Sequence, residues 1–180
     1  MITAILLSLF LAGVINVEQF KTGQKIVNAI NSVNYDEAVN DICYANNDLC
    51  NIVRGYKNDF RKWYKQMLFS IAYAESKFKY NEGLYDKDDI GYFQINTKIW
   101  TKEKAKKYLN FDYYDETILK YDINLQANMA LRILLYNIAV KIRQHGRQKS
   151  IYKYTLLYHK LNHHVIPESY KNDIKKILWR

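Results

Sequence analysis

Apolar side chains recur every three or four residues from Phe60 to Phe78, which predicts an amphipathic helix over this stretch. Glu75 falls on the apolar stripe of that helix, so its carboxyl should face the core of the protein. The nearest cation at helical spacing is Lys79, which is a weak local partner. Burial disfavours the ionised form of a carboxyl, and a carboxyl that stays protonated near neutral pH can act as a general acid. The alternative is a structural ion pair between Glu75 and a distant arginine.

The most apolar stripe of the chain runs from Leu125 to Ile142 and predicts a helix at the centre of the core. Asp122 is its predicted N-cap, and Gly146, which follows a basic stretch, marks its end. Shorter helices are predicted over Val17–Val33 and Asp36–Asn46.

Helical spacing is lost between Tyr80 and Asn96, where Asn, Gly and Asp surround a short apolar alternation over Tyr92–Ile95. This pattern predicts turns around a small antiparallel sheet. A calcium-binding loop that begins at Asp86 is excluded, because Ile90 and Thr97 occupy positions that need oxygen ligands. The predicted fold is therefore mainly α, with one small antiparallel β element.

The length and net charge of the chain indicate its domain count and the class of partner that it can bind. A chain of 180 residues suits one compact domain, and we expect it to be a monomer. The net charge of +9 favours polyanionic partners, such as nucleic acid, acidic lipid headgroups or anionic wall polymers. The sequence has no helix-turn-helix, RNA-binding or zinc-finger pattern, so we expect no specific nucleic-acid partner.

The first residues form an uncharged apolar run from Ile2 to Ile15, which is short for a membrane span but suits a secretory h-region. The run lacks a basic n-region, and Ala12-Gly13 is a poor cleavage site. Residues 1–16 are therefore predicted to be either a signal peptide or an uncleaved N-terminal anchor, and the protein is predicted to be exported.

The chain has two cysteines, Cys43 and Cys50, at short spacing. In an exported protein such a pair favours a local disulfide. The alternative is that both are small buried hydrophobic side chains.

Two blocks of sequence carry a resemblance to a known family. The first is Glu75-Ser76-Lys77-Phe78, followed by Asn81, and the second is the octapeptide DIGYFQIN over Asp89–Asn96. Together they resemble the signature of the lytic transglycosylase domain of the lysozyme-like superfamily, in which E-S-x-F is followed by G-[LYF]-[MF]-Q-I-[NM]. The version in this chain looks most like the small specialised enzymes that accompany secretion, pilus and flagellar machines.

Weaker matches extend the resemblance towards the C-terminus. Asn124 and the residue after it resemble the family's N-[IL] block, whose Asn lies near the active cleft. Tyr158-His159 resembles the A-x-x-Y-[NH] segment, and Tyr170 resembles the start of the Y-V-x-x-[IV] helix. Tyr158 would correspond to the tyrosine whose hydroxyl contacts the catalytic Glu. His159 stands where many members have Asn, and no Gly follows it.

The resemblance implies a lysozyme-like α+β fold with the β element beside the active cleft. It divides the chain into residues 1–16, a helical N-terminal extension over 17–58 and a catalytic domain over 59–180. It implies a catalytic role for Glu75 and no cofactor. The residues expected to bind substrate are Ser76, Gly91, Tyr92, Phe93, Gln94, Asn96, Asn124, Tyr158, His159 and Tyr170. For Phe93, core packing is an equal alternative.

The implied reaction is the non-hydrolytic cleavage of the β-1,4 bond between N-acetylmuramic acid and N-acetylglucosamine in peptidoglycan, with formation of a 1,6-anhydro ring. Peptidoglycan strands would be the substrate, in the bacterial periplasm or cell envelope, in the service of a secretion, pilus or flagellar machine. The alternatives are a hydrolytic muramidase and a non-catalytic wall-binding assembly subunit. His159, His163 and His164 stand at metal-binding spacing, but no carboxylate or Cys completes the set, so we expect no metal.

Overall fold

The computed structural model describes residues 1–79, 88–112, 116–147, 150–160 and 166–179. Most of these residues are helical, and a two-stranded antiparallel sheet interrupts the helices near the middle of the chain. The elements in chain order are α1 (Ile2–Leu11), α2 (Val17–Ser32), α3 (Tyr35–Ala45), α4 (Asn47–Gly55), α5 (Lys57–Ser76), β1 (Asp89–Ile90), β2 (Ile95–Asn96), α6 (Lys102–Leu109), α7 (Glu116–Tyr121), α8 (Ile123–His145), α9 (Ile151–Thr155), α10 (Leu157–Lys160) and α11 (Glu168–Leu178).

The predicted fold class, mainly α with a small antiparallel β element, is confirmed. In the sheet, Asp89 pairs with Asn96 and Ile90 pairs with Ile95. Of the apolar alternation over Tyr92–Ile95, only Ile95 lies in a strand, and the residues before it form the connecting turn. A turn forms here because Gly91 and Gln94 have positive φ, which a regular strand excludes.

Helix α8 is the centre of the core, as its apolar stripe predicts. The carboxylate of Asp122 accepts a hydrogen bond from the Leu125 amide at 3.0 Å, which confirms the predicted N-cap. The helix ends at Gly146, whose φ of 73° lies in the left-handed region. Helices α2, α3, α4 and α10 all pack against α8, so it joins the two halves of the chain.

The N-terminal elements belong to the same core as the rest of the chain. Helix α2 begins with a capping box, in which Asn16 and Gln19 bond each other's backbone amides through their side chains. Helix α1 buries Ile2, Leu6 and Leu9 against α2 and α5. Residues 1–16, 17–58 and 59–180 therefore share one hydrophobic cluster. None of the helices in the described ranges is long and apolar enough to cross a membrane.

Ion pairs made by the buried Arg132 fix α3 to α8. The Arg132 side chain is 3% exposed and bonds the carboxylates of Asp41 at 2.5 Å and Glu37 at 3.2 Å. Nearby, a disulfide between Cys43 and Cys50 closes the corner between α3 and α4. The segment that precedes α5 is therefore attached to the core by charge pairing and by a covalent bond as well as by apolar packing.

We expect the fold to lose stability as the pH rises above about 10, because burial raises the pKa of the Tyr35, Tyr158 and Tyr170 hydroxyls. Above the ordinary tyrosine pKa of 10.0 the unfolded chain releases these protons, whereas the folded protein retains them until a higher pH. Each such tyrosine should lower the free energy of unfolding by about 1.4 kcal/mol per pH unit in that window. Urea unfolding between about pH 8 and 11 measures this slope.

Tyr35→Phe is the control for this prediction, because the buried Tyr35 hydroxyl has no hydrogen-bond partner within the described ranges. The variant should keep its stability near neutral pH and should show a shallower loss above about pH 10. Equal slopes in the two proteins would contradict the assignment of Tyr35 to the alkaline transition.

Candidate active site

Glu75 lies in the last turn of α5, and the chain turns sharply after it. Lys77 and Phe78 both have left-handed backbone conformations, with φ of 52° and 58°. Ser76 supports this helix end, because its hydroxyl donates to the Ala72 carbonyl at 2.8 Å and accepts from the Phe78 amide at 3.1 Å. Ser76 is fully buried. Its hydroxyl serves the helix end, so the expected contact between Ser76 and substrate is replaced by a structural role.

Two distant elements hold the turn after Glu75. The Gln19 amide of α2 donates to the Lys77 carbonyl at 2.8 Å. The Lys77 ammonium pairs with the Asp173 carboxylate of α11. A non-Gly residue in the left-handed region costs about 1 to 3 kcal/mol. These contacts, together with the complete burial of the Phe78 ring, stabilise the conformation that fixes Glu75.

The Glu75 carboxylate is buried against two side chains from the C-terminal part of the chain. Its Oε1 lies 3.3 Å from Nδ1 of His159, and both side chains are 5% exposed. The His159 ring stacks on the Tyr170 ring, with centroids 4.4 Å apart. Burial, followed by the charge of Glu75, raises the pKa of the Tyr170 hydroxyl well above its ordinary value. The Tyr170 hydroxyl therefore stays protonated beside the carboxylate.

The contact between Glu75 and His159 has a chemical consequence. A hydrogen bond between a carboxyl oxygen and a ring nitrogen needs one proton, which either group can carry. The pair can therefore hold a proton in a site from which water is largely excluded. A carboxyl in this state can give the proton to a substrate oxygen and later take one back.

The expected contact between Tyr158 and Glu75 is wrong. The Tyr158 hydroxyl donates to the Phe93 carbonyl at 2.9 Å and so fastens α10 to the turn between β1 and β2. Burial, then the charges of Glu75 and Asp89, raise the pKa of the Tyr158 hydroxyl well above its ordinary value. The hydroxyl therefore lies near both acids, but its hydrogen bond goes to the Phe93 carbonyl and not to Glu75. His159 and Tyr170 occupy the place beside the carboxylate instead.

The turn between β1 and β2 is built around a backbone that only glycine adopts freely. Gly91 has a φ of 71°, and the Gln94 amide folds back to donate to the Gly91 carbonyl at 2.7 Å. Gln126, from α8, accepts from the Tyr92 amide at 2.8 Å. A Cβ on Gly91 would lie 2.3 Å from the Gln126 side chain. The close approach at Gly91 is therefore made by Gln126, a residue that the sequence analysis missed.

Gln126 could have been found from the sequence as a polar residue near the start of the most apolar helix. It is fully buried, and its amide also donates to the Leu119 and Lys120 carbonyls at 2.9 Å. A buried amide that satisfies three backbone groups is a structural anchor. It connects the turn to α8.

Among the remaining residues of the β1–β2 segment, Asn96 and Phe93 are buried and support the fold, whereas Tyr92 reaches the surface. Both polar atoms of the Asn96 amide are used internally, since it donates to Asp89 at 2.8 Å and accepts from the Ile99 amide at 3.0 Å. Phe93 is fully buried, so the core-packing alternative describes it. Tyr92 is partly buried, which makes it the aromatic side chain of this turn that reaches the surface.

Asn124 lies apart from the Glu75 group. It is exposed at the start of α8, where its side-chain oxygen accepts from the Ser32 hydroxyl at 3.4 Å. Three residues named from the sequence, Asn81, His163 and His164, lie outside the described residues. Within the described ranges, no cluster of three or more His, Cys, Asp or Glu side chains is arranged to hold a metal ion.

No family model, curated protein or solved structure matches this chain. The site is therefore interpreted from its own geometry. Its parts are one buried carboxyl with a histidine and a tyrosine against it, and a neighbouring turn that Tyr158 and Gln126 hold in place.

Proposed function

We propose that this protein is a peptidoglycan lytic transglycosylase with Glu75 as its general acid and base. The observation that carries the proposal is the contact of the buried Glu75 carboxyl with His159 and Tyr170 at the end of α5. An arrangement of this kind keeps one carboxyl ready to exchange a proton and excludes water. A net charge of +9 supports attraction to the anionic polymers of the bacterial cell envelope, where the protein would act.

The reaction proposed for Glu75 needs one carboxyl and no cofactor. The protonated carboxyl gives its proton to the glycosidic oxygen as the bond from that oxygen to C1 of the muramic acid breaks. The oxygen of the neighbouring acetamido group bonds to C1 and stabilises the developing charge. The Glu75 carboxylate then takes the proton of the C6 hydroxyl, while the oxygen of that hydroxyl bonds to C1 and displaces the acetamido oxygen from it. The carboxyl ends protonated, the product has a 1,6-anhydro ring, and no water is consumed.

His159 and Tyr170 have distinct tasks in this reaction. Nδ1 of His159 is within hydrogen-bonding distance of Oε1 of Glu75, so the histidine would orient the carboxyl during proton transfer. The Tyr170 hydroxyl stays neutral beside the carboxyl and presents a dipole without adding a charge. Tyr92, the partly exposed aromatic side chain of the neighbouring turn, would contact a sugar ring.

Asp89 supports a second candidate, a hydrolytic muramidase. Asp89 is buried, and its charge, like that of Glu75, raises the pKa of the Tyr158 hydroxyl. Two carboxyl groups on opposite sides of a glycosidic bond are the usual machinery for hydrolysis. One Asp89 oxygen accepts from the Asn96 amide, which fits a structural task and favours the transglycosylase.

Product analysis separates the candidates. Purified sacculi are digested with the protein, and the released fragments are analysed by mass spectrometry. The transglycosylase should release 1,6-anhydro-muramic acid ends and should keep this product in Asp89→Asn. Reducing ends that disappear in Asp89→Asn would establish the muramidase. Unchanged sacculi would leave a non-catalytic wall-binding subunit and would refute both enzymes.

Tyr158→Phe should mainly lower the stability of the fold, whereas Tyr170→Phe should mainly lower the rate of glycan cleavage. Tyr158→Phe removes the donor to the buried Phe93 carbonyl and should lower the free energy of unfolding by about 1 to 3 kcal/mol. Tyr170→Phe removes a hydroxyl without a standard hydrogen bond inside the described ranges, so stability should change by less than about 1 kcal/mol. It should lower the rate of glycan cleavage about tenfold, because the dipole of a neutral hydroxyl beside the Glu75 carboxyl would be lost. Urea unfolding and initial rates on sacculi measure the two effects, and a Tyr170→Phe enzyme with the wild-type rate would exclude that role.

A further inference from the structure

An open depression of about 500 Å³ lies at the end of α5 opposite to Glu75. Its walls are aromatic, with Tyr56, Phe60, Trp63 and Tyr154 among the lining residues. Phe60 and Tyr154 meet edge to face, with ring centroids 5.1 Å apart, and form a rigid apolar floor. Trp63 is half-buried at the side, so part of its ring faces the opening.

Charged side chains surround this aromatic floor. The Arg147 guanidinium lies 4.9 Å from the centroid of the Tyr56 ring and pairs with Asp59. The Lys62 ammonium lies 5.4 Å from the centroid of the Trp63 ring. Two cations and one anion give this rim a net positive charge. Long donor side chains beside flat apolar rings can bind a ligand that has both apolar faces and polar edges.

The depression continues into a longer groove. Trp63 also lines two further depressions of about 290 Å³ and 520 Å³, and Trp179 lines both of these. Helix α1 forms one wall of the larger depression, which is therefore present only while residues 1–16 remain attached and packed on the core. Trp179 is 77% exposed, so its ring is open to a ligand. Three depressions that share the Trp63 side chain adjoin one another and could together contact an extended polymer. We refer to these depressions together as the Trp63 groove.

The Trp63 groove is separate from the Glu75 site. Trp63 and Glu75 stand twelve positions apart on the same helix, which corresponds to about 18 Å at 1.5 Å per residue. The chain also connects the two sites, because Tyr154 in the groove precedes Tyr158 and His159 by one turn. A polymer held in the groove would therefore be bound at a place distinct from the Glu75 carboxyl, and the groove residues would take no part in the reaction itself.

We propose that the Trp63 groove binds a glycan strand that carries carboxylate groups. A pyranose ring has apolar C–H faces that pack on Trp63 and Trp179, and hydroxyl and amide edges that the rim can bond. Lys62 and Arg147 would pair with the carboxylates of the strand. The choice of a glycan rests on the proposed function, whereas the groove itself does not.

The test measures binding without cleavage. The Glu75→Gln protein is mixed with insoluble peptidoglycan, and the bound fraction is measured by cosedimentation over a range of polymer concentrations. In the Glu75→Gln background, Trp63→Ala should weaken retention by about tenfold or more, the usual cost of losing a central aromatic contact. Tyr44→Ala removes an aromatic ring that is 83% exposed on α3, outside the groove, and should leave retention unchanged.

Further variants and probes keep the result interpretable. Trp63 is half-buried, so its variant must show wild-type circular dichroism, and Trp179→Ala provides the same test at a residue with little role in folding. Lys62→Glu should weaken retention by repulsion. Peptidoglycan stripped of its stem peptides should still be retained through Trp63. A loss of Trp63-dependent retention on that probe would identify a peptide groove and would refute the proposal.

The two proposals fail in different ways. Sacculi that remain uncut while retention still depends on Trp63 and Trp179 would refute the proposed function and support the glycan groove. Cleaved sacculi with equal retention of the Trp63→Ala, Trp179→Ala and Tyr44→Ala proteins would support the function and overturn the groove. No retention of any protein would overturn the groove, whatever the cleavage assay shows.

Discussion

Glu75→Gln should lower the rate of glycan cleavage by about 10²- to 10⁴-fold, the usual effect of losing a general acid. The amide nearly matches the size of the carboxyl but cannot deliver a proton to the glycosidic oxygen. Its side chain can still bond His159, so the packing at the end of α5 should persist. Initial rates on purified sacculi and thermal unfolding of the same preparations measure the two effects.

Glu168→Gln is the matched control for this experiment. Glu168 lies in the first turn of α11, is exposed, and pairs with Lys171 at 3.0 Å. Its replacement removes one negative charge from the surface near the site and should leave the rate within about twofold of the wild type. A Glu75→Gln protein that cleaves as fast as Glu168→Gln would show that the acid lies elsewhere.

Local signals in the sequence predicted four of the helices, α2, α3, α5 and α8. Helix α8 has its own cap at Asp122, its own stop at Gly146 and one long apolar stripe, so its position needs no distant information. The end of α5 was harder to predict, because the stripe continues to Phe78 while the helix stops at Ser76. Gln19 and Asp173 support that stop from distant parts of the sequence. Such contacts cannot be inferred from periodicity.

In the site, as in the helices, local features were predicted from the sequence and contacts between distant elements were not. Glu75 could be singled out from the sequence because an acid on an apolar stripe is unusual. The partner tyrosine was misassigned, because Tyr158 and Tyr170 both lie in matching blocks and only the packing of α10 and α11 decides which hydroxyl reaches Glu75. Gln126 was missed because its partners are backbone groups outside its own helix. The sequence alone therefore did not predict which side chains from distant elements contact each other.

Gly91→Ala should lower the free energy of unfolding by about 2 to 4 kcal/mol, from two separate causes. The first is the φ of 71°, which an alanine adopts only with strain. The second is the Gln126 side chain, which would lie 2.3 Å from the new Cβ. The turn that carries Tyr92 must then shift, so glycan cleavage should fall as well. Gly55→Ala is the control, because Gly55 lies in α4 and nothing lies within 4 Å of its Cβ position, so this change should be neutral or should stabilise the protein by up to about 1 kcal/mol.

A double-mutant cycle separates the two causes. Gln126→Ala removes the side chain that the new Cβ at position 91 would strike, so adding Gly91→Ala in that background should cost only the backbone strain, about 1 to 2 kcal/mol. The difference between the costs of Gly91→Ala in the two backgrounds, measured by urea unfolding, is the energy of the steric conflict between the new Cβ and the Gln126 side chain. Equal costs in both backgrounds would mean that Gln126 does not press on the turn. The glycine would then be required for its backbone conformation alone, because the hydrogen bond from the Tyr92 amide to Gln126 would still hold the turn on α8.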